Sequence, residues 1–435
     1  MRMWKLCSLS VVLAVCILSA PVVLAVQISP TEPGSLWTWG RNTYAEALGY
    51  PTKGLSVPHA TPYLLFEGNV TSAAAASEFS LAVVDGQLWT WGANGNGQLG
   101  NGTTTSSSVP TPPTFIRDGV RAVAAGTNYS MVLTSDGAVL VAGYAKTNYD
   151  GGTGNGGLGT GQGSNSGTNL TALTPVTNMG SGVTAIAAGS DFCLAVKDGA
   201  LWAWGSNSSG QLGNGTSSNV SVATPVQVQG ISGEIKTITA GMNTSFAIAG
   251  ESNTLYMWGS NQYAQVGDAT FASGGSPSYI TTATPVMDGV TAVATSTAGG
   301  AMLAVKDGNV WAWGANSTWT ASVTATPEQI FAGTLTNIVD VAIAGPNSLY
   351  PNNSYTYFAL DANGDLWAWG FQRYGLLGTE DVATDTLLTT PMIVASGIGA
   401  ISTSNQTVLA YGKLPEPATM SLLALGGLAM LRRRK

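Results

Sequence analysis

Charge is the scarcest commodity in this chain: Asp, Glu, Lys and Arg make up 9% of its 435 residues, against about a quarter in ordinary soluble domains. The balance is acidic, with a formal net charge of -7. Removal of the two ends discussed below would take away Arg2, Lys5, Arg432, Arg433, Arg434 and Lys435. Ten of the sixteen basic residues would then remain, against 23 acidic residues in the full chain. Nothing would be left to neutralise phosphates, so nucleic-acid binding is excluded. Histidine occurs once, as His59 in a Pro-rich stretch, and no His/Cys spacing of a zinc site is present. Two of the three cysteines, Cys7 and Cys16, lie in a removable leader, so only Cys193 persists and an internal disulfide is excluded. Catalysis needs converging titratable groups. Here carboxylates are scattered singly, which argues against an enzyme.

What is abundant is glycine, 56 residues, together with a 44% apolar fraction. That combination suits tightly turned β-structure with a core. The pattern LWTWG occurs at 36–40 and 88–92, and LWAWG at 201–205 and 366–370. Related copies end at Gly259 (YMWG), Gly314 (VWAWG) and, with the tryptophans lost, Gly143 (LVAG). A Thr-Pro follows every copy, at Thr61, Thr111, Thr174, Thr224, Thr284, Thr326 and Thr390. Upstream lies a third element, such as VTAIAAG at 183–189, then a short apolar run and a turn, Asp198-Gly199. Asp85-Gly86, Asp136-Gly137, Asp307-Gly308 and Asn363-Gly364 repeat that turn. Such dipeptides between apolar runs predict hairpins with two-residue type I′ turns.

In LWAWG the two tryptophans project from one face of a strand and Leu and Ala from the other. Both faces are apolar and both must be covered. Stacking small sheets around a ring does this and leaves only short edges. The copies are out of phase with the chain: Leu36 begins a Trp strand that has no hairpin partner before it. GAISTS (399–404) and TVLA (407–410) supply the missing strands. The expectation is an all-β, seven-bladed propeller of four-stranded antiparallel blades, closed by N- and C-terminal strands; an open solenoid would leave strands over.

These residues resemble the regulator of chromosome condensation repeat, which joins an Ala-Gly strand, a Ser-centred strand, an Asp-Gly turn, a Trp-Gly strand and a GQLG loop. The loop is explicit at Gly97–Gly100 and Gly210–Gly213. It is weaker at Gly157–Gly159, Gln265–Gly267 and Leu376–Gly378, and lost in copy six around 315–326. The family often places histidine before the serine of its second strand, whereas this chain has Phe79-Ser80, Tyr129-Ser130, Phe192-Cys193 and Thr244-Ser245. Founding members activate a small nuclear GTPase and bind chromatin. An acidic, exported chain does not inherit either activity, so a guanine-nucleotide exchange factor-like role stands as a minor alternative.

The leader reads as a secretory signal peptide: Arg2 and Lys5, an apolar run from Leu6 to Leu18, and a small-residue exit ending at Ala25. Val15 before Cys16 disfavours a lipoprotein reading. At the other end, Pro415-Glu416-Pro417 precedes a fourteen-residue apolar stretch, 418–431, and the basic cluster Arg432, Arg433, Arg434 and Lys435. This resembles a PEP-CTERM sorting signal, which implies an exosortase-type processing enzyme as partner. As a helix the stretch would span about 21 Å, short of the roughly 30 Å hydrocarbon core, so it suits a transient membrane contact. A plain C-terminal anchor is the alternative. The expected organisation is a signal peptide at 1–25, a linker at 26–35, a propeller at 36–411 and a sorting tail at 412–435. The expected location is the envelope, surface or extracellular matrix of a Gram-negative-type bacterium.

Two GxGxxG matches, 95–100 and 154–159, lie among hairpins and lack the βαβ setting that dinucleotide binding requires. The Gly-rich stretch 150–167 reads as an enlarged loop rather than a calcium repeat. The expectation is a non-catalytic binding or matrix module with no cofactor or metal and an unidentified protein or polysaccharide ligand; a polysaccharide-acting enzyme is the runner-up. In a four-stranded meander the Asp-Gly turns share one face with the chain ends, and the Trp-Gly loops open on the other. The tail would hold the first face toward the membrane. The second would present variable loops at 144–173, 260–283 and 315–325, with Trp319, Tyr149, Tyr263, Tyr279 and Tyr374 as candidate ligand-face aromatics.

Overall fold

The computed structural model describes residues 34–40, 49, 59–76, 78–113, 118–144, 156–161, 169–267, 278–296, 300–315, 324–345, 355–372, 375–379, 386–404 and 407–412. The stretches read above as a signal peptide (1–25) and a sorting tail (from 413), together with Trp319, Tyr149 and Tyr374, lie outside them. Strands β1 (Leu36–Gly40) and β2 (His59–Phe66) open the chain. Blade 2 follows as β3 (Val70–Ala75), β4 (Phe79–Val84), β5 (Gln87–Gly92) and β6 (Ser107–Thr111), and blade 3 as β7 (Val120–Ala125), β8 (Tyr129–Thr134), β9 (Val139–Gly143) and β10 (Leu170–Pro175). Blade 4 comprises β11 (Val183–Ala188), β12 (Phe192–Lys197), β13 (Ala200–Asn207) and β14 (Ser218–Gln227). Blade 5 comprises β15 (Ile235–Ala240), β16 (Thr244–Ala249), β17 (Thr254–Ser260) and β18 (Tyr279–Met287). Blade 6 runs through β19 (Val290–Thr295), β20 (Ala301–Lys306), β21 (Asn309–Gly314) and β22 (Thr324–Gln329), and blade 7 through β23 (Ile338–Ala344), β24 (Thr356–Asp361), β25 (Leu366–Gln372) and β26 (Thr386–Ala395). The last strands, β27 (Ala400–Thr403) and β28 (Thr407–Tyr411), complete blade 1 in the order β27-β28-β1-β2.

Every sheet is a four-stranded antiparallel meander. The first strand of each blade touches the first strand of the next, from β3 through β7, β11, β15, β19, β23 and β27 back to β3. These inner strands therefore form the ring around the axis, and the fourth strands form the rim. Closure uses the chain ends: Leu36 pairs with Tyr411 and Gly40 with Thr407, so β28 is held between β1 and β27. The sequence-based architecture is the one observed, including the blade shared between the ends.

Packing explains the Trp-Gly strand. The first tryptophan, where a copy has two (Trp37, Trp89, Trp202, Trp311, Trp367), is half-buried. The tryptophan that directly precedes the glycine (Trp39, Trp91, Trp204, Trp258, Trp313, Trp369) is fully buried between neighbouring sheets. The glycine after it has no alternative: at Gly259, φ is 100°, and a Cβ would stand 2.3 Å from the Asn243 carbonyl oxygen.

The Thr-Pro has an equally local cause. In blade 4, Ala203 faces Val226 while Gly205 faces Val222, so four residue steps of the outer strand oppose two of the Trp strand. The same doubling recurs in blades 5, 6 and 7. This bulge lies opposite the tryptophan that precedes the glycine. Proline is tolerated there because an outer strand has a free edge. The threonine hydroxyl donates to the carbonyl two residues earlier at Thr111, Thr174 and Thr284, covering an acceptor that the bulge removes from the ladder.

Two turns differ from expectation. Asp85-Gly86, Asp198-Gly199 and Asp307-Gly308 have positive φ at both residues, as a type I′ turn demands. At Asp136-Gly137 and Asn363-Gly364 only the glycine does. Gly137 N donates to Thr134 O and Gly364 N to Asp361 O, so these hairpins carry one more residue and are closed by a glycine bulge. Thr134 and Asp361 also fold their side chains into the loop, through Ala138 N and Asp365 N respectively.

A pair of glycine substitutions tests the inter-blade contact. Gly213 has φ of 64° and its Cβ would meet Trp258 Nε1 at 2.6 Å, whereas a Cβ at Gly95 meets nothing within 4 Å. Gly213→Ala is expected to destabilise the fold by about 2 kcal/mol or more and Gly95→Ala by under about 1 kcal/mol, measured by urea unfolding. Equal effects would reject the packing account.

Candidate functional site

The chain ends and the charged turns share one face. Ser35 accepts from Gly412 N, and Gly34 O accepts from Val70 N at a blade-to-blade connection. On this turn face stand the exposed carboxylates of Asp85, Asp136, Asp198 and Asp307 in hairpin turns, and of Asp118 and Asp288 in connections between blades. Most of these are held locally: Lys197 pairs with Asp198 at 2.6 Å, and Gln87 and Thr254 donate to Asp118 and Asp288. Asp136 accepts from Thr134 Oγ1, which holds its carboxyl below the usual range. Among the described residues, no three His, Cys, Asp or Glu side chains gather as a metal-binding set.

The opposite face carries the loops between third and fourth strands, and in blades 2, 4, 5 and 7 the loop is locked by the same device. Two residues after the Trp-Gly, an amide side chain accepts the backbone N–H five residues on: Asn94 from Leu99, Asn207 from Leu212, Asn261 from Val266 and Gln372 from Leu377. The loop glutamine then closes a smaller ring by accepting the N–H two residues back, Gln98 from Asn96, Gln211 from Ser209 and Gln265 from Tyr263. Its backbone carbonyl reaches the next blade. Gln211 O accepts from Trp258 Nε1 at 2.9 Å, Gln265 O from Trp313 Nε1 at 2.6 Å, and Leu376 O from Trp39 Nε1 at 3.0 Å. Beyond it, Gly102, Gly161 and Gly215 N donate to the next blade's outer strand at Thr171, Ala223 and Thr281. Each loop is thus a clasp over its neighbour, and the segments between anchor points are free to vary.

The sequence reading found the GQLG loops but missed the asparagine. Its signal was present as Trp-Gly-x-Asn in five of the six Trp-Gly copies, with Gln372 substituting in copy seven. Among the described residues Trp204 Nε1 has no acceptor, and neither has Trp369 Nε1. The Trp369 ring stacks on Tyr357, 12° from parallel with centroids 5.5 Å apart, and takes Phe331 at its edge.

Of the aromatics singled out from sequence, Tyr263 and Tyr279 are described, and both are exposed on the loop face, at 45% and 39%. Met242, in the loop between the first two strands of blade 5, joins them at 43%. His59 begins an outer strand. Cys193 is fully buried, and burial pushes its thiol up to about 12, so it is no nucleophile at neutral pH. Its neighbour Tyr129 is also buried, donates to Gly189 O, and is raised by the same cause.

One half-buried carboxylate lies at the closure joint. Asp340 sits on β23, which packs on β27, and it raises the pKa of Tyr411 on β28. Burial pushes Asp340 up to about 6, although it accepts from Val341 N. A raised carboxylate pKa penalises the folded state only when ionised. The cost is absent below about pH 4, grows to about pH 6 and is constant above. Asp340→Asn is expected to stabilise the protein at pH 7.5 by on the order of 2–3 kcal/mol and to leave stability at pH 3.5 unchanged. A pH-independent effect would mean that ionisation is not the cause.

Comparison with known proteins now has a geometry to rest on. The family model of the RCC1-like domain matches residues 26–350, and the chain belongs to that family. It is 29% identical over 304 residues to RCC1 domain-containing protein RUG3, mitochondrial, of Arabidopsis thaliana, covering 68% of this chain and 65% of that protein. It is 30% identical over 224 residues to the human E3 ubiquitin-protein ligase HERC2, half of this chain but 4% of that protein. The chain therefore spans a little under two thirds of the first relative and a small part of the second. Human WBSCR16 superposes with a TM-score of 0.70 at 20% identity, covering 87% of this chain and 99% of that one. Prp20p from Saccharomyces cerevisiae, whose structure was reported with its binding to Gsp1p and histones, gives 0.71 at 19%, covering 91% and 95%. These likenesses show the fold.

Proposed function

We propose that this member of the RCC1-like family is an exported, non-catalytic binding module that works at the cell envelope or in an extracellular matrix and presents its clasp loops to an external ligand. The observation that carries the reading is the division of labour in each loop: fixed anchor points tie it to the next blade, and the intervening residues change in length and composition from copy to copy. That is how a rigid scaffold displays recognition loops. Among the described residues the carboxylates on this face are Glu78 and Asp191, one from each of two non-adjacent blades.

Export rests on the signal-peptide pattern at 1–25. Sorting rests on Pro415-Glu416-Pro417, the apolar stretch and the basic terminus, which together fit an exosortase-type enzyme and a brief membrane contact. Since Gly412 lies on the turn face, the tail leaves from there and the loop face points away from the membrane. The acidic turns face anionic headgroups under this arrangement, so the body stands off the surface instead of lying on it.

Intact mass and cell fractionation, in an exosortase-bearing host, test the sorting half. Wild type is expected to lose its tail and leave the membrane fraction, and the variant with Pro415, Glu416 and Pro417 changed to Ala to keep both tail and membrane association. A full-length wild-type protein in the membrane fraction would replace sorting with simple anchoring.

A further inference from the structure

We infer that the loop-face end of blade 5 binds a neutral polysaccharide, an assignment that rests on the binding-module reading and gives it a location and a ligand class. Eight large apolar side chains are prominently exposed in the described chain: Tyr63, Val109, Val220, Met242, Tyr263, Tyr279, Val339 and Leu387. Three of them, Met242, Tyr263 and Tyr279, crown this one sheet end. Met242 stands beside the axis in the loop between β15 and β16, Tyr263 in the clasp after β17, and Tyr279 at the rim where β18 begins. The patch thus runs radially across the blade, from the central opening to the outer edge.

Each of the three is mounted on fixed backbone. Ser190 N of blade 4 donates to Met242 O, and Asn261 N donates to Ser278 O beside Tyr279. Tyr279 pairs with Ser260, and Tyr263 N is tied to Gln265 Oε1 at 2.8 Å. The residue after Tyr263 is Ala264, held at φ of 58° where Gly97 and Gly210 stand in the other clasps. A left-handed alanine costs about 1 kcal/mol, and backbone strain of this kind concentrates at ligand sites. Toward blade 6 the ring of Tyr263 faces Gly300: a Cβ there would lie 3.6 Å from Tyr263 Cδ2 and 3.0 Å from the Tyr355 hydroxyl. With Ala315 Cβ only 2.9 Å from that position, the glycine is close-packed and lets the base of the Tyr263 ring sit against blade 6.

The chemistry of the patch selects the ligand. Its polar groups are amides, Asn243 and Gln262, with tyrosine hydroxyls; Asn243 Oδ1 already accepts from Gln211 Nε2. None of these side chains is a carboxylate, an ammonium or a guanidinium. A protein partner is usually anchored by arginine and a charged rim, and a polyuronate needs cations. A pyranose offers what this surface can use: an apolar C–H face for each tyrosine ring and hydroxyls that exchange hydrogen bonds with amides.

Affinity electrophoresis of the purified chain through gels containing glucomannan, galactomannan or dextran, with alginate as the charged control, tests the assignment. Wild type is expected to be retarded by at least one neutral polymer and not by alginate. Tyr263→Ala and Tyr279→Ala should each weaken that retardation about five- to tenfold, while Tyr63→Ala, an exposed tyrosine on blade 1, leaves it unchanged. Both blade-5 changes alter exposed side chains, and an unchanged melting transition will show that they fold. Retardation that survives both substitutions would overturn the blade-5 site and leave a binding function elsewhere on the loop face. No retardation by any of the three neutral polymers, or equal retardation by alginate, would overturn the ligand class without touching the sorting experiment.

Discussion

The structure depends on how the tryptophan that precedes the glycine of each Trp-Gly copy is covered. Its indole is wholly buried between two sheets, yet carries one N–H that must find an acceptor. For Trp258, Trp313 and Trp39 the preceding blade supplies both needs with a single loop, whose glycine packs on the ring and whose carbonyl takes the hydrogen bond, as Gly213 and Gln211 do for Trp258; Trp204 and Trp369 have no acceptor among the described residues. A blade in isolation would leave the indole face and its N–H in water. Stability is therefore a property of adjacent pairs, and the ring gives every blade a neighbour on both sides. Blade 3 shows how the rule bends: with Ala142 in place of the tryptophan, Leu173 moves in, and Gly100 packs against both.

Much of this was legible in the sequence because the fold is written in repeats of short-range signals. Six Trp-Gly copies and one degenerate copy, with the turns and the Thr-Pro, set strand number, order and the split blade. The reasons for two of those signals were not legible. Thr-Pro marks a bulge whose existence depends on pairing with a strand many residues away, and Asn94 or Asn207 reads as an ordinary loop residue until its partner five positions on is seen in space. The turn at Asp136-Gly137 was misread because the dipeptide alone does not state loop length; Thr134 and Ala138 decide that. Surface function was less legible still, since exposure of Met242 follows from the tilt of a loop and not from any periodicity.

Among the described residues, carboxylates are concentrated on the turn face. The hairpin turns need residues that accept positive φ, and Asp-Gly satisfies that requirement cheaply, so carboxylates accumulate where turns accumulate. The clasps need amide side chains to tie backbone N–H groups, and so their anchor points are Asn and Gln. The difference between the described parts of the two faces is thus a by-product of two kinds of chain reversal.

The position of β28 between β1 and β27 bears on the order of events during synthesis. The first Trp strand is made at residues 36–40 and cannot be completed until 407–411 emerge. At about 5–20 residues per second, that interval is about 20 to 75 s, during which an apolar half-blade lies open at the start of the chain. A protein assembled this way has no closed state before its last strand arrives, so the unclosed chain stays threadable for nearly the whole of its manufacture, and locking occurs in one late event.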